Sequence, residues 1–216
     1  NREDLEKLGV LKREKANDVL IANDVNNINT FFTGSLRRAM QLKKHFNNPR
    51  IVNIRGNITS RIQKCQQIKD SGLILAQAGI NRLALDLKHQ VLPLEKFIPA
   101  PGQGIIAIQS RENDFKLQLQ DISCEETTII AKVELGIARA LGLSCTFPAA
   151  IYASIKDGMI NVIAEMYFND GLKELSYRGQ STNVSDLINK VVEYMKKNDF
   201  SLRSQNSKYE NIINMQ

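Results

Sequence analysis

Ile51-Val52-Asn53-Ile54-Arg55-Gly56-Asn57-Ile58-Thr59-Ser60-Arg61 decides the fold. A short β-branched run meets a Gly-Asn turn. The spacing of Ile58, Ile62 and Cys65 then places three apolar side chains on one helix face. Downstream, Gly72-Leu73-Ile74-Leu75-Ala76 is a continuous apolar run, the signature of a strand covered on both faces. Ala78-Gly79 is expected to break it before a helix that starts across Ile80 to Leu85. Upstream, Ser35 reads as the N-cap of a helix carrying Leu36, Met40 and Phe46, and Asn47-Asn48-Pro49 stops that helix. The sum is β-α-β-α-β, and right-handed crossovers make it a parallel sheet with helices on its faces.

Two basic turns fall at the carboxyl edge of that sheet, where such folds bind ligands. They are Thr33-Gly34-Ser35-Leu36-Arg37-Arg38 and Arg55-Gly56-Asn57-Ile58-Thr59-Ser60-Arg61. Backbone N–H groups at a helix start attract anions, and arginine forks onto carboxylates and phosphates. Either junction alone reads equally as a plain helix start with exposed charges. Two in successive units point to a cleft for a ligand with several negative charges.

Phe97-Ile98-Pro99-Ala100-Pro101-Gly102-Gln103-Gly104 leads into the strand Ile105-Ile106-Ala107-Ile108. The Pro and Gly density marks a crossing or a turn. Gln103 could reach a ligand with its amide, or its glycines merely permit a rigid linker. The last third changes character. Ser123 and Glu126 form a capping box before a helix bearing Ile130, Val133, Ile137 and Leu141. Ile151–Ile155 and Met159–Met166 flank Asp157-Gly158, a strong hairpin signal. Asn169-Asp170-Gly171 makes a second turn, before a third strand near Leu175 and Tyr177. Ser185 then caps a helix with Leu187, Ile188, Val191, Val192 and Met195 inside. The expected fold class is therefore α/β followed by α+β: a mixed or parallel sheet of the periplasmic-binding type, then a small antiparallel three-stranded sheet.

Composition narrows the function. With 43% apolar and 24% charged residues among 216, the chain is an ordinary globular protein with room for two modest cores. Its net charge of +6 is spread along the chain, and aromatics are 6% with no Trp, which speaks against a nucleic-acid stacking platform. Three separated cysteines, Cys65, Cys124 and Cys145, argue for a reducing compartment. Two histidines, distant from any Cys or acidic cluster, argue against a metal site or a His-based triad. No apolar run has membrane-spanning length. Cys145, on a loop between helix and strand, is placed for exposure, and its own chemistry leaves its role undecided between a small loop residue and a covalent tether.

These residues together resemble the hydroxymethylbilane synthase (porphobilinogen deaminase) family. The resemblance rests on Thr33-Gly34-Ser35-Leu36-Arg37-Arg38, Ile54-Arg55-Gly56-Asn57 with Arg61, Ala76-Gln77-Ala78-Gly79-Ile80-Asn81-Arg82-Leu83, Pro99-Ala100-Pro101-Gly102-Gln103-Gly104, and Cys145 with Pro148. The order and spacing hold from Arg2-Glu3-Asp4 to the last helix. The resemblance implies a three-domain transferase of tetrapyrrole synthesis that condenses four porphobilinogen units into hydroxymethylbilane and releases ammonia. It implies a dipyrromethane cofactor on Cys145 through a thioether, held by Thr33, Ser35, Arg37, Arg38, Arg55, Gly56 and Asn57. Arg55, Arg61 and Gln103 would meet substrate. Each pyrrole brings two carboxylates, so several cations are needed.

The same resemblance assigns 1–97 to the family's second domain, 98–122 to a crossing segment that returns to the first, 123–200 to the third, and 201–216 to a polar tail. Pro99 to Gly104 would serve as a hinge. The family's catalytic aspartate lies in a first domain that this sequence does not match. The chain is thus expected to be a portion of the enzyme, with no catalytic residue of its own, inactive alone, and partnered by the missing N-terminal part. The strand Ile105–Ile108 would then lack its sheet and show a bare edge. A soluble monomer of cytoplasm or plastid is expected, with no nucleic acid, membrane or metal partner. The sequence departs from the family at Gly34, where a hydroxyl residue is usual, at Leu143-Ser144 in place of two glycines, and at Gln109 in place of Glu. The competing reading is a non-catalytic two-lobed carboxylate-binding module, which needs no Cys145. A basic nucleic-acid binder is the third.

Overall fold

Strand residues alternate between two apolar layers, and that alternation builds the first lobe. The computed structural model describes residues 7–110, 116–144, 146–168, 174–201 and Ile212. In chain order the first elements are β1 (Lys7–Val10), β2 (Asp18–Ala22), β3 (Thr30–Phe32), α1 (Leu36–His45) and β4 (Arg50–Val52). There follow α2 (Ile58–Gln66), β5 (Ser71–Ala76), α3 (Gln77–Arg82), β6 (Gln90–Val91) and β7 (Ala107–Ser110). The remainder is α4 (Lys116–Ile122), α5 (Glu125–Ala140), β8 (Ala149–Lys156), β9 (Met159–Tyr167), β10 (Glu174–Ser181) and α6 (Val184–Lys197).

The five-stranded sheet runs β4-β3-β5-β2-β6. Its β3, β4 and β5 are parallel, as the β-α-β-α-β reading requires, but β2 and β6 join antiparallel and make the sheet mixed. Val19, Ile21, Phe32, Val52, Leu73 and Leu75 face one layer with Ile62, Cys65 and Ile80 from α2 and α3. Leu20, Phe31, Ile51 and Ile74 face the other with Ala39 and Leu42 from α1. Each fully buried leucine or isoleucine here contributes about 1.5–3 kcal/mol. Ile212 is also buried in that second layer, so this point of the tail packs on the lobe. Ala78 and Gly79 do not break the chain: α3 starts at Gln77, directly from β5.

The three-stranded sheet is antiparallel in the order β10-β9-β8, with α5 and α6 packed on it around Val133, Ile137, Leu187, Val191 and Met195. Asp157 and Gly158 have φ of 51° and 73°, the left-handed pair of a type I′ hairpin. The turn expected at Asn169-Asp170-Gly171 lies outside the described residues. Two caps differ from expectation. Asn183, not Ser185, caps α6, accepting from the Asp186 N–H at 3.0 Å. Cys124, not Ser123, stands at the N-cap of α5, and the Ser123 hydroxyl instead donates to Leu119 O and accepts from Val10 N. The segment Ile105–Ile108 gains one partner strand but stays in a two-stranded ladder, with Ile106 and Ile108 exposed. β7 pairs antiparallel with β1, Val10 opposite Ala107, and α4 packs on β1 through Leu119.

The lobes meet through buried Ile98, Ala150 and Tyr167, and Lys44 of α1 reaches Glu165 at 3.0 Å and Glu174 at 2.6 Å on β9 and β10. Among the described residues no helix is long and apolar enough to cross a membrane.

Candidate functional site

Parallel pairing sets the site. Phe32 lies opposite both Val52 and Leu73, so the turns after β3 and β4 sit side by side at one sheet edge. Thr33 N donates to Val52 O at 3.1 Å. A Cβ on Gly34 would come 3.0 Å from Ile54 O, so this position favours glycine by close approach of the neighbouring turn. Buried Thr33 accepts the Ser35 N–H on its hydroxyl at 3.1 Å, and Ser35 caps α1 with Oγ 3.5 Å from Arg38 N.

The two arginines of this turn point inward. Asp18, first residue of β2 and 0% exposed, lies opposite Ala76 at the same edge. Its Oδ1 accepts from Arg38 Nε at 3.1 Å and Nη2 at 2.9 Å, and its Oδ2 lies 2.9 Å from Arg37 Nη1. Gln103 completes the cluster: Nε2 donates to Asp18 Oδ1 at 2.9 Å and Ala16 O at 2.6 Å, while Oε1 accepts from Arg37 Nη2 at 3.2 Å. Arg37 also donates to Ile98 O at 2.7 Å. Burial pushes the Asp18 carboxyl up, but Arg37 and Arg38 together outweigh it and hold it below the usual range. Arg37 Nε is buried with no hydrogen-bond partner among the described residues. An orphan buried N–H on a cation is costly, and an anion nearby would offset it.

The second turn is built differently. Gly56 has φ of +119°, a conformation for glycine, and a Cβ there would lie 2.6 Å from Ser60 Oγ. Asn57 caps α2, its Oδ1 accepting from Ser60 N at 2.8 Å. Arg61 Nε donates to Gly56 O at 2.7 Å, and Arg55 is exposed. Among the described residues neither Arg55 nor Arg61 has an acidic partner.

A cavity of about 620 Å³ opens beside the first turn, between the lobes. Gly34, Ser35 and Arg37 line its polar end, and Leu135, Ala138, Leu143 and Phe147 its apolar end. Ser144 and Thr146 line it too, one on each side of Cys145. Cys145 itself lies outside the described residues. Arg55, Gly56, Asn57 and Arg61 are not among the lining residues, although their turn adjoins Gly34.

Three charged residues of the site escaped the sequence reading. Besides Asp18 these are Arg13 and Glu134. Arg13 Nη1 meets Glu134 Oε1 at 2.7 Å, and Arg13 Nε donates to Gln103 O at 3.0 Å. Glu134 also accepts from Gly102 N at 2.7 Å and Ala153 N at 2.8 Å. Pro99 O accepts from Ile151 N at 3.0 Å and Gly104 O from Glu14 N at 3.0 Å. The Pro99–Gly104 crossing expected as a hinge is thus bonded to both lobes. A signal existed for each acid. Glu134 stands at a core position of the Ile130-Val133-Ile137 stripe, and Asp18 heads the apolar run Val19-Leu20-Ile21-Ala22.

Residues 1–119 match the family model described as porphobilinogen deaminase, dipyromethane cofactor binding domain. The chain is 38% identical over 154 residues to the probable porphobilinogen deaminase of Picrophilus torridus, covering 69% of this chain and 55% of that protein. It is 33% identical over 183 residues to that of Methanocella arvoryzae, covering 82% and 60%. To the porphobilinogen deaminase of Helicobacter hepaticus it is 29% identical over 194 residues, covering 85% and 60%. The chain thus spans 55–60% of the length of these relatives. The mixed sheet with its two basic turns and the matched cofactor-binding model agree: the chain belongs to the porphobilinogen deaminase family.

Proposed function

We propose that the protein acts as a hydroxymethylbilane synthase, condensing four porphobilinogen units with loss of ammonia onto a dipyrromethane primer carried by Cys145. One observation carries this reading: the interlobe cavity joins Ser35 and Arg37 to both neighbours of Cys145. Its volume of about 620 Å³ lies in the range of small-molecule sites. An apolar wall with one cationic end suits a pyrrole ring bearing carboxylates, and the orphan Arg37 Nε–H suits an anion close by.

In this reading Ser35 and the N–H groups at the start of α1 take one carboxylate, and Thr33 holds Ser35 in place. Arg37 and Arg38 lend positive potential from behind. Arg55 and Arg61, which lack acidic partners among the described residues, take carboxylates further along the chain, with Gly56 and Asn57 shaping their turn. Gln103 orients Arg37 more than it reaches for ligand, since both ends of its amide are engaged. Dipyrromethane, when bound, supplies the pyrrole carbon at which the chain is extended. Asp18, buried between two guanidiniums, is held ionised and is no proton donor, so proton transfer falls to another group.

The test is the intact mass of protein purified from cells that make porphobilinogen. A covalent adduct of two pyrrole units is expected, absent in Cys145→Ser. The bare polypeptide mass in the unaltered protein would refute the assignment.

A further inference from the structure

The first turn spends an acid where a site for anions would be expected to collect cations. Asp18 is fully buried, touches both guanidiniums and the Gln103 amide, and is separated from the cavity by Arg37, which lines it. Two guanidinium charges less one carboxylate leave a single net positive charge at this end. Removed from water, these charges act at an effective dielectric nearer 20 than 80, so their effect reaches across a few ångströms into the cavity.

We infer that Asp18 is a positioning and specificity-determining residue, whose carboxylate fixes Arg37 and Arg38 and limits the charge behind the cavity, so that a doubly charged anion such as phosphate loses most of its electrostatic advantage over a singly charged carboxylate. The physics is simple. Every fixed charge acts on a dianion twice as strongly as on a monoanion, so cancelling one of the two guanidinium charges removes twice as much attraction from the dianion, while Gln103 and Ile98 O keep Arg37 from swinging outward to compensate. The inference rests on the proposed function in one respect only, that this cavity holds carboxylates.

The test follows the side-chain N–H signal of Arg37 by nuclear magnetic resonance, with the chain titrated by acetate or inorganic phosphate at constant ionic strength. Mildly alkaline buffer keeps phosphate doubly charged. The unaltered chain should respond to acetate and to phosphate at concentrations within about tenfold of each other. Asp18→Asn should raise the phosphate-to-acetate affinity ratio about tenfold, a difference of about 1.4 kcal/mol. Asp18→Glu, which keeps the charge, should restore the original ratio. An unchanged ratio in folded Asp18→Asn, or an equal rise in Asp18→Glu, would overturn the inference. Should Asp18→Asn not fold, a phosphate affinity more than about tenfold above that of acetate in the unaltered chain would overturn it as well. Loss of the dipyrromethane reading would instead appear as an absent covalent mass, a separate result.

Discussion

The two basic turns look alike as sequence and differ as chemistry. At Thr33–Arg38 both arginines fold back onto Asp18 and become part of the interior. At Arg55–Arg61 one arginine braces the turn through Gly56 O and the other is exposed, with no acidic partner among the described residues. The difference teaches that an arginine count at a sheet edge does not give the charge offered to a ligand. The first turn presents a helix start backed by a charge-paired arginine cluster, and the second presents arginines with no acidic partner among the described residues.

Substitutions sharpen the contrast. The largest effect is expected from Asp18→Ala, which leaves two buried guanidiniums without their counter-ion. Breaking such a cluster costs about 3–5 kcal/mol in urea unfolding, and a loss below about 1 kcal/mol, typical of exposed pairs, would place the first turn with the second. The same carboxylate gives a pH signature. Its folded pKa is depressed, so its contribution is present above the ordinary value of 3.8 and is lost as pH falls through the lower folded value. Unfolding free energy should drop on that acid limb, and Asp18→Asn should flatten the drop.

In the second turn, Gly56→Ala should cost about 1–3 kcal/mol, because its positive φ and the nearby Ser60 hydroxyl leave no relaxed place for a Cβ. Asn57→Ala removes the α2 cap and should cost about 1 kcal/mol by thermal unfolding. Arg55→Ala should leave stability within about 0.5 kcal/mol while lowering the fraction of chains that carry the covalent adduct. Equal adduct content in that variant would mark Arg55 as an ordinary surface charge.

Local signals carried much of the fold. The Ser35 and Asn57 junctions, the Asp157-Gly158 hairpin and the three parallel strands follow from capping chemistry, positive φ and apolar runs, all of which act within a few residues. What could not be read was long-range. β2 went unread although Val19-Leu20-Ile21-Ala22 is an apolar run, and its antiparallel place beside β5 depends on pairing across fifty or more residues. The misplaced cap at Ser123 has the same cause, since its hydroxyl serves Val10 on a distant strand. For the site, motif spacing located both turns, but the inward direction of Arg37 and Arg38 was invisible without Asp18 and Gln103 in space.

The central claim is that the cavity between α1 and the 143–147 loop holds a sulfur-tethered polycarboxylate. The most direct measurement is a crystal structure of protein purified from porphobilinogen-producing cells. The account predicts density continuous from residue 145 into the cavity, with a carboxylate at Ser35 and the start of α1. A free thiol at residue 145, or a pyrrole chain lying elsewhere on the surface, would contradict it.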